Sequence, residues 1–297
     1  MHSGHRPMST PAILKMHRAP ARDADRMAEV AAAFRSAYRS RQRQQVALRL
    51  AVNLVGVLCF LGAWEAIPRL VPWINPVLFP PPSKVIQTLW PMILSGEIAR
   101  NVLVSLGRAG AGFLIAAVLG IATGVATARV QVLQHLAEPL LHGFRAIPVI
   151  ALVPISVLWF GIGEAAKIAL VATGAFFPVW IATFIGVRDV HIIYLRSAAC
   201  LGAGRLATML WVILPAALPF ILAGLRQAMA ISLIVLVAAE LSGATAGVAY
   251  MMSMGHQLFR VDVMFIGLLL LGTLGFVFDR LFVLLTQRLF PWYATTS

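Results

Sequence analysis

The chain reads as an all-α membrane protein with six transmembrane helices, and three observations predict it. Of its 297 residues, 60% are hydrophobic and only 12% charged, whereas soluble domains carry about 25% charge. Mean hydropathy is +0.86, and the uncharged runs 109–128 and 168–187 each match the roughly 20 residues that cross a bilayer. The net charge of +13 is unevenly placed: ten of the 24 cations lie in residues 1–49, against three acids. A basic flank ahead of the first span orients a membrane protein, and it displaces nucleic acid as the partner that so basic a chain first suggests.

Residues 1–22 mix Pro, Ser, His and Arg without periodicity and read as a tail. Met27, Val30, Ala31, Phe34, Ala37 and Tyr38 then recur at helical spacing, with Asp23, Asp25 and Glu29 first and Arg35, Arg39, Arg41 and Arg43 last. Acids at the start and bases at the end suit the helix dipole, and the basic face suits anionic lipid headgroups. Residues 1–46 are therefore expected to be a cytoplasmic basic tail with an amphipathic helix. No short apolar core with a cleavage site precedes Ala47, so a removable signal peptide is not expected.

Hydropathy predicts spans at 47–67, 106–128, 146–161, 167–187, 216–239 and 263–284, giving a transmembrane domain over 47–290 and a C-terminal tail at 291–297. A cytoplasmic N-terminus puts 17 cations inside, including Arg129, Arg145, Arg188, Arg196, Arg205, Arg280 and Arg288, and leaves five outside. That asymmetry predicts that both termini are cytoplasmic. The first outer loop, with Pro68, Pro72, Pro76 and the run Pro80 to Pro82, belongs in water or at the interface. Pro148, Pro154, Gly174, Pro178, Pro215 and Pro219 predict broken or kinked helices. The pairs Gly120/Gly124 and Gly243/Gly247 predict close helix packing.

No phosphate-binding loop, zinc spacing or nucleophile motif occurs, so no ATP hydrolysis, cofactor or metal is expected of the chain itself. The seven histidines are scattered, and only His135 and His142 share a face, in what reads as a short inner loop. Cys59 and Cys200 form no paired motif. Glu240 reads as the intramembrane acid, too little for a proton-driven machine.

The longest inner loop, 188–215, carries the strongest signal. Its first half, from His191 to Gly202, has helical period, with Ala198 and Gly202 four apart and Gly202 placed to end a short helix. Its second half is apolar, helical and expected to stop at Pro215. This loop resembles the EAA motif of ABC importer permeases: an E-A-A triplet, three residues, Gly, nine residues, then I-x-L-P. Gly202, Val212, Leu214 and Pro215 keep that spacing, while the triplet is Arg196, Ser197 and Ala198. Flanking phrases extend the likeness over about residues 50–290: Leu78-Phe-Pro-Pro-Pro-Ser83, Ser105-Leu-Gly-Arg-Ala-Gly-Ala-Gly-Phe113, Arg145-Ala-Ile-Pro-Val-Ile-Ala-Leu-Val-Pro154, Leu158-Trp-Phe-Gly-Ile-Gly-Glu164 and Val212-Ile-Leu-Pro-Ala-Ala-Leu-Pro219. Together they look like the nitrate/sulfonate/taurine branch of binding-protein-dependent permeases.

The resemblance implies a type I ABC importer permease fold in the cell inner membrane. It implies a homodimer, two cytoplasmic ABC ATPase subunits gripping the EAA-type loops, and an extracytoplasmic solute-binding protein delivering a small anion. It assigns coupling to Arg196, Ser197, Ala198, Gly202, Val212, Leu214 and Pro215. Two departures stand out: a base, Arg196, replaces the motif's acid, and His191-Ile192 replaces the Asp-Pro that often starts this helix. Arg108, Arg226 and Glu240 are candidates for the translocation path or its gating, with Arg108 and Glu240 equally well placed to pair structurally. Trp159, Phe160, Phe176 and Phe177 fit either a route lining or interface packing. A scaffold subunit with a divergent loop and an ion-driven secondary transporter stay open as rival readings.

Overall fold

The computed structural model of the protein describes residues 48–49 and 51–290. The expected N-terminal tail and amphipathic helix, and the C-terminal tail at 291–297, lie outside the described residues. All regular structure among the described residues is helical. The chain forms two compact units divided in sequence between Trp64 and Glu65. Helix α1 (Ala51–Leu70) begins in the first unit, where the rings of Phe60 and Trp64 meet at a tilt of 55° with 6.2 Å between centroids and side chains such as Val52 and Phe60 are exposed.

In the second unit, Glu65 in α1 accepts hydrogen bonds from the backbone N–H and hydroxyl of Ser83, at 3.0 and 2.8 Å. Ser83 lies in the first turn of α2 (Pro82–Leu94). Pro82 takes the first helical position, where a missing N–H costs nothing and the fixed φ suits the helix. The proline-rich loop expected between the first two spans thus contains a helix. Helix α3 (Glu97–Arg129) follows, starting nine residues before its predicted span, and then α4 (Gln131–Arg145), a 3-10 turn (Val149–Leu152), α5 (Val153–Phe160) and α6 (Glu164–Arg188). After α7 (Ile192–Cys200) come α8 (Arg205–Thr208), a π turn (Met209–Ile213), α9 (Leu214–Leu241), α10 (Val248–Gln257) and α11 (Val261–Leu289).

Among the described residues, five helices are long and apolar enough to cross a membrane: α1, α3, α6, the unbroken helical run Arg205–Leu241 and α11. The third predicted span, at 146–161, is not one straight helix. It is the second half of a pair, Gln131–Arg145 with Val149–Phe160, bent by 89°. Pro148 explains the break, because it lacks an N–H and its ring drives Ile147 out of the helical region. Residues 131–145, expected to be a short loop, form the other arm, and His142 there meets the ring of Trp180 at 5.5 Å.

Helix α6 packs between α3 and α9. Along α3, Gly112, Ala116, Gly120 and Gly124 recur every four residues, opposite Val171, Ala175, Val179 and Thr183 on α6. A methyl at Gly120 would lie 2.8 Å from Val179 Cβ, and one at Gly124 2.7 Å from Thr183 Cβ. Small-against-branched packing brings the two backbones together, which is how apolar helices associate where lipid is as apolar as leucine. On its other face α6 meets α9, with Gly174 against Val235, Gly224 against Ala182 and Gly186 against Phe220. Trp180 Nε1 donates to Thr127 Oγ1 at 3.1 Å, and Arg129 Nη2 donates to the Val187 carbonyl at 3.0 Å. The second predicted glycine pair does something else. Gly243 and Gly247 lie beyond α9 with φ of 110° and 129°, in a connection rather than a helix interface.

Candidate functional site

The loop singled out by the sequence begins with a well-formed helix. His191 caps α7, its Nδ1 accepting from the Ile193 N–H at 3.3 Å, so it fills the capping place that Asp often takes. At the other end the Ala203 N–H donates to the Ala198 carbonyl and the Gly202 N–H to the Ala199 carbonyl, both at 3.0 Å. With Gly202 at φ 74°, these two bonds make a Schellman turn, which needs a left-handed residue at that place. A methyl at Gly202 would meet nothing within 4 Å, so inside this chain the demand for glycine comes from the backbone.

Ala198 is buried, while Leu195 packs with Met209 around the cluster of Val187, Ile213 and Ala217. Helix α7 therefore rests on the π turn at the foot of α9. Pro215 does not end the helix as expected. The run from Arg205 to Leu241 is continuous, and the π turn immediately before Leu214 absorbs the proline: widening the helix by one residue makes room for a ring that would otherwise press on the carbonyl four residues earlier. Val212 and Leu214 are half-buried in this transition, and Arg196 and Ser197 are exposed on α7. Leu201 is 87%, Leu206 73% and Trp211 81% exposed.

The opposite end of the same helices holds a different arrangement. Arg108 on α3 is 3% exposed and Glu240 on α9 is 1% exposed. The guanidinium grips Glu164 with two parallel bonds, Nε to Oε2 at 2.5 Å and Nη2 to Oε1 at 2.6 Å. Its Nη1 donates to Glu240 Oε1 at 2.8 Å and to the Ala246 carbonyl at 2.6 Å. Glu240 also accepts from Ser105 Oγ at 2.7 Å and from the Ala249 N–H at 3.0 Å. Ser105 Oγ in turn accepts from the Val248 N–H at 2.9 Å, and Asn101 Oδ1 accepts from the Gly247 N–H at 2.8 Å. The first N–H groups of α10, which no helix satisfies for itself, are thus met by α3 and α9. A methyl at Gly247 would lie 2.4 Å from the Glu240 carboxylate, so only glycine lets the connection pass over that group.

Residues 112–291 match the family of binding-protein-dependent transport system inner membrane components. The chain belongs to this family. A protein of Bacillus subtilis (strain 168) whose name assigns it to aliphatic sulfonates transport is 35% identical to the permease over 232 residues, 78% of this chain and 84% of its own. The taurine transport system permease protein of Escherichia coli (strain K12) is 32% identical over 249 residues, 82% of this chain and 90% of its own. The crystal structure of an amino acid ABC transporter with histidines has a TM-score of 0.54 at 15% identity, covering 68% of this chain and 96% of that one. The permease is thus a multi-pass membrane subunit of an ATP-driven importer in the sulfonate/taurine branch, working with a separate ATPase and a solute-binding protein.

The candidates named from sequence fall into separate places in the permease. Arg196, Ser197, Ala198, Gly202, Val212, Leu214 and Pro215 gather around α7 and the π turn. Arg108 and Glu240 meet in the buried cluster. Arg226 lies apart, forked onto Asp279 of α11 at 2.6 and 2.9 Å. Asp279 corrects the reading of Glu240 as the lone intramembrane acid: it lies inside the sixth predicted span. Sequence reasoning also missed Glu164, Lys167, Ser105 and Asn101. Glu164 was visible as the end of Leu158-Trp-Phe-Gly-Ile-Gly-Glu164, but nothing in that phrase pointed to Arg108, 56 residues away. Lys167, read as an outer-loop cation, is buried and donates to the Ile162 and Gly163 carbonyls at 2.9 and 3.2 Å.

Proposed function

We propose that two copies of this permease form the pathway for a small organosulfonate-like anion, and that ATPase movement enters each copy at the Gly202 turn. The observation that carries the coupling reading is the unbroken route from that turn: α7, locked by its Schellman turn, rests on the π turn, which continues into α9. A push on α7 reaches α9 without crossing a flexible joint, and packed interfaces convert such a push into a switch between discrete arrangements. The exposed Leu201, Leu206 and Trp211 supply the apolar surface that a docking partner buries. This reading places α7 and both termini in the cytoplasm of a cell with the permease in its inner membrane, in line with the cation asymmetry. Anionic solutes are favoured by the names of the two relatives.

The test is reconstitution of the permease with its cognate ATPase and solute-binding protein. Gly202→Val forces a branched residue into the left-handed region, at about 1–3 kcal/mol, and should abolish ATPase capture and sulfonate uptake. Gly202→Asn tolerates that conformation and should retain both. Equal behaviour of the two variants contradicts coupling through this turn. Uptake that persists without the ATPase and follows an ion gradient supports a secondary transporter, and an assembled complex that moves no solute supports a scaffold.

A further inference from the structure

The two arginines named as candidates for the translocation path are already neutralised. Arg108 is held by Glu164 and Glu240, and Arg226 by Asp279. Together with Lys167, which lies 3.9 Å from Glu164, the Arg108 cluster has two cations and two carboxylates, leaving no net charge to attract a solute.

A third arginine in the helical domain differs. Arg145 is the last residue of α4, at the 89° break in the bent pair. It lines an open groove of about 680 Å3 with Pro148, Gly174, Phe177, Phe220 and Gln227, bordered by the break, α6 and α9. Every other lining residue is apolar or glycine, and no carboxylate lines the groove. Among the described residues Arg145 makes no hydrogen bond or ion pair, and the same holds for the Gln227 side chain. The carbonyls of Gly143 and Phe144 at the end of α4 are taken by the N–H groups of Ala146 and Ile147, so the guanidinium is not used to cap its own helix.

Arg145 and Gln227 are both exposed, and a cation and a neutral amide that border the same apolar groove without a partner among the described residues form an incomplete site for an anion that passes it. From this juxtaposition we infer that Arg145, assisted by Gln227, is the anion contact of the translocation path, its planar fork receiving the oxyanion head of the solute while Phe177 and Phe220 cover the apolar remainder. The inference rests on the anion-importer reading above and gives that reading its residue. A guanidinium matches a sulfonate or carboxylate with two parallel hydrogen bonds, which an ammonium does not. The shared chemistry is an oxyanion, and a phospholipid headgroup could supply it as well as a solute.

The test separates these sources. A reporter cysteine at Ala223, which also lines the groove, is introduced into the full-length permease after replacing the two exposed cysteines, Cys59→Ser and Cys200→Ser. In phosphatidylcholine nanodiscs, with each rate taken relative to that reagent's rate with a free thiol in solution, the sulfonate-bearing ethyl methanethiosulfonate should react faster than its trimethylammonium counterpart by about tenfold or more, the range expected for a groove of one charge sign. Arg145→Gln should bring the ratio near parity, and Arg145→Lys should keep most of it. In the complete transporter, Arg145→Gln should then lower uptake by a similar factor while binding-protein-stimulated ATP hydrolysis persists. An unchanged labelling ratio in Arg145→Gln overturns the inference. A preference present in phosphatidylcholine but lost in phosphatidylglycerol assigns the arginine to lipid and overturns it equally. The labelling assay needs no ATPase, so it stands even where ATPase capture fails.

Discussion

The two ends of the α6–α9 pair make opposite use of polar and apolar groups. At the Glu240 end, two cations, two carboxylates, a hydroxyl, an amide and three backbone N–H groups satisfy one another across α3, α6, α9 and α10. At the α7 end the polar groups of the turn are satisfied locally, and the apolar side chains of Leu201, Leu206 and Trp211 point away from the chain. At the first end the polar groups are tied together across four helices by the fold itself, while at the second the chain leaves three large apolar side chains around one turn uncovered. On the coupling reading proposed above, the first end is a fixed clamp that holds the helices in register, and the second is a handle at the far end of the same helices.

Breaking the clamp should have the largest effect on the isolated protein. Glu240→Ala leaves a buried guanidinium short of one carboxylate and takes the acceptor from the Ala249 N–H and the Ser105 hydroxyl, a loss expected to cost about 3–5 kcal/mol. Thermal unfolding in detergent should show it as a marked fall in Tm, and ATPase binding by any surviving folded fraction should be intact. A Glu240→Ala protein as stable as the parent would mean that the clamp is not structural.

Next comes the seam between the ends. Gly124→Leu forces side-chain volume against Thr183 and the Trp180 carbonyl, which overpacking places at about 1–3 kcal/mol. Uptake should fall with stability. An unchanged Tm would show that α3 and α6 separate freely there.

The smallest effect belongs to the handle. Arg196→Glu reverses an exposed charge on α7 with no partner among the described residues, so folding should be untouched. ATPase affinity should drop by roughly two- to fivefold, equal to about 0.4–1 kcal/mol. Unchanged affinity measured by titration puts Arg196 outside the docking contact.

What could be read in advance depended on the range of the signal. The α7 turn was legible because a Schellman cap is written in neighbouring residues, with Gly202 at a fixed distance from the helix start. The α3 stripe was legible because Gly120 and Gly124 repeat at helical spacing. Pairing of Arg108 with Glu240 was foreseeable from two opposite charges in apolar spans near one face. The remaining members of the cluster were not: Glu164 and Asn101 meet it only through the packing of separate helices. The π turn before Pro215 was hidden, since a single extra residue per turn leaves no mark on composition. Residues 131–145 were read as a loop because Gln131, Gln134, His135, Glu138 and Pro139 masked an amphipathic helix.

The central claim is that nucleotide-driven motion enters at the Gly202 turn, and a distance measurement tests it most directly. In the reconstituted transporter with Cys59 and Cys200 replaced, a spin label at Leu201→Cys in each permease copy reports the separation of the two turns. The separation should differ between the nucleotide-free and ATP-trapped states, and the difference should vanish when ATPase closure is blocked. A separation that stays the same across those states would contradict the account.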